Sequence, residues 1–420
     1  MRWCSITARI EKDGCMIAGV GGSTIQAELE KLSSIRAEAM PIGADELRGR
    51  VAKVQAEMRA RGVQALHLDS STSNFYFTGI RHRASERLHG TLIPAEGDLV
   101  YISPAFEAEK LRTMISLDGE IRCWQEHESP TSLVVETLRD IGIASGTIAV
   151  DQATPFFTFD GLRRAGNSFD FINATEVIAP CRMIKSKAEI GLIKQAMAMT
   201  LRVQQATARI LHEGITTTEV ASFVQQAHAR MGADPVFTFC IVLFGEPTAY
   251  PHGVPYPQTL KDGDMVLVDI GATLHGYQSD ITRSYVYGTP TARQREVWEV
   301  EHAAEQAVFD AAQLGAPCEA LDAAARRVIE GAGFGKDYAL PGLPHRTGHG
   351  LGLDVHEEPY IVRGNATKLV PGMCFSNEPT ICIYGEFGVR LEDHVYMTES
   401  GPNWFTTPPP SFDNPLDVAA

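Results

Sequence analysis

Met265-Val-Leu-Val-Asp269-Ile-Gly-Ala-Thr-Leu-His-Gly-Tyr-Gln-Ser-Asp280-Ile-Thr-Arg-Ser284 reads as a strand, a short turn and a second strand. A tip at Thr273 to Gly276 leaves Asp269 and Asp280 about equally far from the turn. Antiparallel pairing then sets them opposite or nearly opposite each other, so both carboxylates aim at one spot.

Two further runs point the same way. In Cys374-Phe-Ser-Asn-Glu378 and in Gly388-Val-Arg390-Leu-Glu392-Asp-His394 the even positions share a strand face. Glu378, Arg390 and Glu392 line one cavity on this reading, with Val389, Leu391 and Val395 turned to the core. His349 arrives in Gly348-His349-Gly350-Leu351-Gly352, whose glycines let the backbone come close to something bulky or highly charged. Four carboxylates in one pocket repel each other and take up protons unless they are compensated. Two divalent cations supply the missing charge. Oxygen-rich ligands with a single imidazole suit Mn²⁺ first, with Co²⁺, Fe²⁺ or Zn²⁺ as alternatives.

These segments, together with Ser279-Asp280-Ile-Thr-Arg283 and Asn377-Glu378-Pro379, resemble the blocks of the pita-bread metallopeptidases in order and spacing from about residue 41 to 406. That family includes methionine aminopeptidase, aminopeptidase P, prolidase and the metal-free creatinase. The chain is most similar to bacterial prolidases. The resemblance implies an α+β fold: a creatinase-like N-terminal α/β domain, then a catalytic domain with a curved, mainly antiparallel sheet and pseudo-twofold symmetry. It implies Asp269, Asp280, His349, Glu378 and Glu392 as metal ligands, and cleavage of an Xaa-Pro dipeptide in a homodimer. Glu378 would take the water's proton, His356 would stabilise the scissile carbonyl, and His252 would assist the leaving nitrogen. Arg390 would either orient a ligand carboxylate or bind the proline carboxylate, and His345 would lie on the product side.

One departure is visible. Relatives commonly carry tyrosine where this chain has Cys382, in Asn377-Glu378-Pro379-Thr380-Ile381-Cys382. The competing readings are an Xaa-Pro aminopeptidase, a creatinase-like C–N hydrolase and a non-catalytic binding protein. The last two conflict with an intact ligand set.

Composition bounds the rest. A chain of 420 residues exceeds one ordinary core, and no apolar run approaches the roughly 18 residues of a membrane helix. A formal net charge of -15 disfavours nucleic acid and anionic membrane as partners. Eight cysteines (Cys4, Cys15, Cys123, Cys181, Cys240, Cys318, Cys374, Cys382) without a C-x-x-C pair suit a reducing, cytoplasmic setting. Charges at Arg2, Arg9, Glu11, Lys12 and Asp13 interrupt any secretory apolar stretch, and Met16 and Met40 are alternative starts.

The expected division is an N-terminal extension over 1–40, the α/β domain over 41–180, the catalytic domain over 181–408 and a tail over 409–420. Leu47, Val51, Val54 and Met58 recur at helical spacing before Gly62. Strands are expected near 65–68, 90–93, 99–102 and 147–150, with helices over 107–114 and 132–140. Capping boxes at Ser186/Glu189 and Thr216/Glu219 open two helices ahead of strands at 237–244 and 265–287. Long and shorter helices over 291–313 and 319–330 repeat that order. The run Asn74-Phe-Tyr-Phe-Thr78 is expected as an aromatic strand before the charged loop Arg81 to Arg87, itself either a solvated loop or a lid.

Overall fold

The computed structural model describes residues 17–235 and 238–417. Cys4, Cys15, Met16 as an alternative start, and the Phe237 end of an expected strand lie outside them. The six cysteines described are not joined in disulfides. The chain forms two compact units, one of residues 40–190 and 352–358, the other of residues 17–39, 191–351 and the segment from 359 onward.

In the first unit, β1 (Val63–Leu68), β2 (Gly90–Pro94), β3 (Leu99–Pro104), β4 (Gly119–Trp124), β5 (Gly146–Val150) and β6 (Phe169–Asn173) form one sheet in the order β4-β3-β2-β1-β5-β6. Only β2 runs antiparallel to its neighbours. Leu92, Val100, Leu138, Ile148 and Leu162 are buried in its core cluster. The helix Ala44–Arg61 ends as expected on Gly62, which at φ 69° supplies the left-handed cap. The aromatic run corrects the sequence reading, because Thr72–Thr78 is a helix. Ser71 caps its start by accepting from the Asn74 N–H, and Gly79 at φ 74° caps its end. Two good caps outweigh the strand preference of three aromatic residues.

The second unit carries the carboxylates. Its strands are β7 (Phe239–Phe244), β8 (Met265–Gly271), β9 (Thr273–Leu274), β10 (Tyr277–Gln278), β11 (Ile281–Val286), β12 (Gly348–Gly350), the part of β13 (Glu357–Ile361) from Pro359 on, β14 (Cys374–Asn377), β15 (Thr380–Ile383), β16 (Phe387–Arg390), β17 (Asp393–Thr398) and β18 (Gly401–Trp404). The hairpin tip is His275-Gly276 rather than Thr273 to Gly276. Both residues are left-handed, at φ 49° and 93°, the requirement of a two-residue turn that matches strand twist. The Asp234 carboxylate accepts from both of their N–H groups. In the resulting register Asp269 faces Thr282. Asp280 falls one step beyond the Ile281–Ile270 pair, on Asp269's side of the sheet but diagonal to it.

A single row of residues joins the strands at this level. Asp269 pairs with Ile241 and Thr282, and Thr282 bridges to Glu392. The β14–β17 and β15–β16 ladders share one register, which sets Glu378 across from Glu392. The ladder breaks there because each glutamate N–H is directed elsewhere: Glu392 donates to the Thr282 carbonyl at 3.1 Å and Glu378 to the Thr347 carbonyl at 2.9 Å. Pro379 has no N–H with which to continue it.

Helices pin this row from behind. Gln204, on the helix Lys187–Arg209, donates to the Val268 and Ile281 carbonyls at 2.9 and 2.7 Å. On the helix Ala292–Ala311, Trp298 donates to the Ser284 carbonyl, and the Glu305 carbonyl accepts from Asn377. Both capping boxes form, Ser186 with Glu189 and Thr216 with Glu219. The order of long helix, shorter helix and strands recurs, with Thr217–Met231 and Cys318–Gly331 as the shorter helices. No described helix is long and apolar enough to cross a membrane.

Candidate metal centre

Asp269, Asp280, His349, Glu378 and Glu392 are brought together in the second unit. A donor atom from each of Asp280, His349 and Glu392 lies within 4.8 Å of the other two. His349 Nε2 stands 2.9 Å from Glu378 Oε1 and 3.8 Å from Asp280 Oδ2. Its Nδ1 faces the Gly350 carbonyl at 3.0 Å. A carbonyl only accepts, so Nδ1 carries a proton and Nε2 is the ring atom turned toward the acids. Gly348 is needed here, since any side chain would strike the Ser376 carbonyl.

Asp269 and Glu392 are each oriented by one neighbour and leave one oxygen over. Asp269 accepts from Arg390 Nη2 at 2.5 Å, and Glu392 accepts from the Thr282 hydroxyl at 2.7 Å. Glu378 Oε1 also accepts from the Ser376 hydroxyl at 3.1 Å. Asp269 Oδ1, Asp280 Oδ1 and Glu392 Oε1 are buried with no hydrogen-bond partner. Buried carboxylate oxygens are rarely left so. Two of these acids, Asp280 and Glu392, group with the His349 imidazole, an arrangement that fits a divalent cation site. Sequence reasoning missed Thr282 and Ser376, although each lies two residues from a ligand, on the same strand face.

The electrostatics agree. Burial pushes Asp280 well above its usual range, and Glu392, Asp269 and Glu378 push it further. Burial and Glu378 do the same to Glu392, and Asp269 is raised by burial against the pull of Arg390. Burial also works to raise Glu378, yet the facing His349 outweighs it and holds this carboxyl far down. An acid whose folded pKa is raised holds its proton in the folded state, so stability is lost as pH climbs from the ordinary carboxylate range through the folded pKa. Chelator-treated protein should therefore melt at progressively lower temperature as pH rises from about 5 to 8. Divalent metal should raise the melting temperature more at the upper end. A pH-independent metal effect in thermal melts would contradict this.

The remaining expected residues are placed as follows. Arg390 is buried, and Nε and Nη1 donate to Thr282 Oγ1 and the Pro251 carbonyl while Nη2 holds Asp269. Of arginine's five N–H donors, three are thereby committed. His345 Nδ1 donates to the Arg346 carbonyl at 2.6 Å and Nε2 accepts from the Thr380 hydroxyl at 3.1 Å. His252 is exposed in the loop following Pro251, and His356 is exposed in the 352–358 segment, which groups with the first unit. Cys382, at the usual tyrosine position, is fully buried, and burial raises its thiol to about 12.

Residues 191–399 match the model of metallopeptidase family M24, and residues 50–184 match the creatinase/prolidase N-terminal domain. A putative dipeptidase, YkvY, from Bacillus subtilis is 35% identical over 353 residues, 84% of this chain and 96% of its own. The chain belongs to metallopeptidase family M24. Among solved structures, a recombinant prolidase from Thermococcus sibiricus superposes with a TM-score of 0.79 at 32% identity, covering 85% of this chain and 96% of that one. Dipeptidase PepE from Mycobacterium ulcerans gives 0.80 at 32% identity, covering 88% and 97%. This M24 member thus has the creatinase-type N-terminal domain followed by the pita-bread catalytic domain, a mixed α/β architecture with antiparallel sheets.

Proposed function

We propose that the protein is a dipeptidase that hydrolyses Xaa-Pro dipeptides with two divalent metal ions, Mn²⁺ foremost, held by Asp269, Asp280, His349, Glu378 and Glu392. The observation that carries the metal centre is the grouping of Asp280 and Glu392, each with an orphaned carboxylate oxygen, around the His349 imidazole. The dipeptide is supported by the relatives' names, dipeptidase and prolidase. The same reading assigns residues 41–180 to the N-terminal domain and 181–408 to the catalytic domain, and places a homodimer in the cytoplasm.

Divalent ions bound here supply Lewis-acid stabilisation of oxygen charge and activate water at neutral pH. The chain's residues do the rest. Glu378 accepts the proton of the attacking water and passes it to the departing imide nitrogen, which His252 assists. His356 stabilises the charge that develops on the scissile oxygen, and His345 lies on the product side. Arg390 fixes Asp269 and offers its remaining N–H groups to the proline carboxylate. An Xaa-Pro bond has no N–H, so it needs a site that does not rely on that donor.

Free-carboxylate recognition makes substrate length the test. A hydrogen bond to a charged group is worth about 1.5 to 3 kcal/mol. Ala-Pro should exceed Ala-Pro-Ala in kcat/KM by about tenfold or more, and Ala-Pro amide should lose most of that advantage. Equal values for all three would favour the second reading, an Xaa-Pro aminopeptidase. That reading draws support from the commitment of most of the Arg390 fork to Asp269, Thr282 and Pro251.

A further inference from the structure

His356 stands between two acids in Asp354-Val-His356-Glu357, and both acids are gripped by cations from a distant part of the chain. Lys185 Nζ donates to Glu357 Oε1 at 2.7 Å, and Arg182 Nη2 donates to Glu357 Oε2 at 2.5 Å and to Asp354 Oδ2 at 2.8 Å. Arg182 Nη1 continues to the Ser73 and Thr72 hydroxyls, and the Thr72 hydroxyl donates to Asp354 Oδ2 at 2.7 Å. The backbone joins in. The Gly352 N–H donates to the Asp354 carbonyl at 3.1 Å, and a side chain at Gly352 would collide with the Glu357 carboxylate.

This is not a surface ion pair. The side chains of Lys185, Arg182 and Glu357 are 1%, 10% and 10% exposed. Burial by itself would raise the Glu357 pKa, yet Arg182 and Lys185 reverse that and hold it at about 2. Three desolvated charges are costly to keep in one place unless their geometry is well satisfied. A loop that merely needed to be closed could be closed with apolar contacts. What the ionic grip adds is a fixed backbone on both sides of an exposed imidazole.

We propose that Arg182 and Lys185 are positioning residues, which grip Asp354 and Glu357 so that the intervening backbone presents His356 to the substrate in one geometry. The proposal rests on the reading of His356 as the group that stabilises the scissile oxygen. A displacement of about 1 Å at a reacting centre can cost on the order of a hundredfold in rate.

The test is a double-mutant cycle on the full-length, metal-loaded enzyme with a dipeptide it cleaves, Ala-Pro first, combined with hydrogen exchange. Lys185→Met and Asp354→Asn should each lower kcat by about tenfold or more, with KM and metal content within about twofold. Lys185→Arg should recover most of the loss. Amides of 352–358 should exchange faster in Lys185→Met while those of β8 and β14 do not. In a His356→Ala background the Lys185→Met loss should shrink below about twofold, because both changes act through one group. An equal loss in both backgrounds, or unchanged exchange in 352–358, would overturn the proposal. If Lys185→Met fails to fold, Asp354→Asn, whose side chain is 41% exposed, carries the same cycle. Wild-type kcat in His356→Ala would instead reject the role given to His356, and with it the purpose of the grip.

Discussion

Glu378→Gln is expected to lower kcat by roughly 10² to 10⁴, the range that proton transfer by a positioned group contributes, while KM stays within about threefold. The reason lies in how this carboxylate differs from the other three. Asp269, Asp280 and Glu392 are driven toward the protonated form by burial and by one another, whereas Glu378 is held ionised against its burial, chiefly by His349. Of the four it is the one whose surroundings keep it a carboxylate, the form that a proton acceptor must have. Its position is fixed twice, by its N–H on the Thr347 carbonyl and by Ser376 and His349 on Oε1. An amide preserves shape and can still offer a carbonyl oxygen to a cation, but it cannot take up the proton. Proton transfer belongs to the transition state, so the loss should fall on kcat. Near-normal kcat with normal metal content, by elemental analysis, would remove Glu378 from this role.

Much of this site was legible in the sequence because strand alternation is a strict period of two. Asp269 and Asp280 lie in a run buried at nearly every position, and one-sided placement of two charges in such a run is hard to explain otherwise. The turn was misjudged by one position because nothing in its sequence marks His275 as left-handed. The aromatic helix at Thr72–Thr78 was misread because caps act outside the run whose propensity suggests a strand. β4 and β6 escaped notice as the two edges of their sheet, half exposed and bearing charges such as Glu120, Arg122 and Asp170. Least legible were Glu301 and Glu305, one turn apart on Ala292–Ala311, which no motif in the sequence singles out. They are fully buried, and burial pushes both well above the usual carboxylate range. Whether an acid is solvated or enclosed depends on the partner strand, here the Leu391–Asp393 stretch, and no local pattern reports that.

Asp280→Asn should produce the largest change, with opposite signs in the two metal states. With metal, the variant loses a ligand oxygen that no other group replaces. Activity should fall well beyond the 10- to 100-fold typical of outer-sphere partners, and bound metal should drop below the two ions per chain proposed for the wild type. Without metal the balance reverses. Asp280 is buried, has an unpartnered oxygen, and is destabilised as an anion by Glu392, Asp269 and Glu378. An amide there carries no charge for those neighbours to repel, so chelated Asp280→Asn should melt above chelated wild type at pH 8. The gap should close as pH falls toward 5, where the wild-type carboxyl takes up its proton. Metal-loaded wild type should melt above the metal-loaded variant at the same pH. An acid retained only for packing or hydrogen bonding would show the variant less stable in both states, so thermal melts of the four samples at pH 5 and 8 separate a ligand from a structural carboxylate.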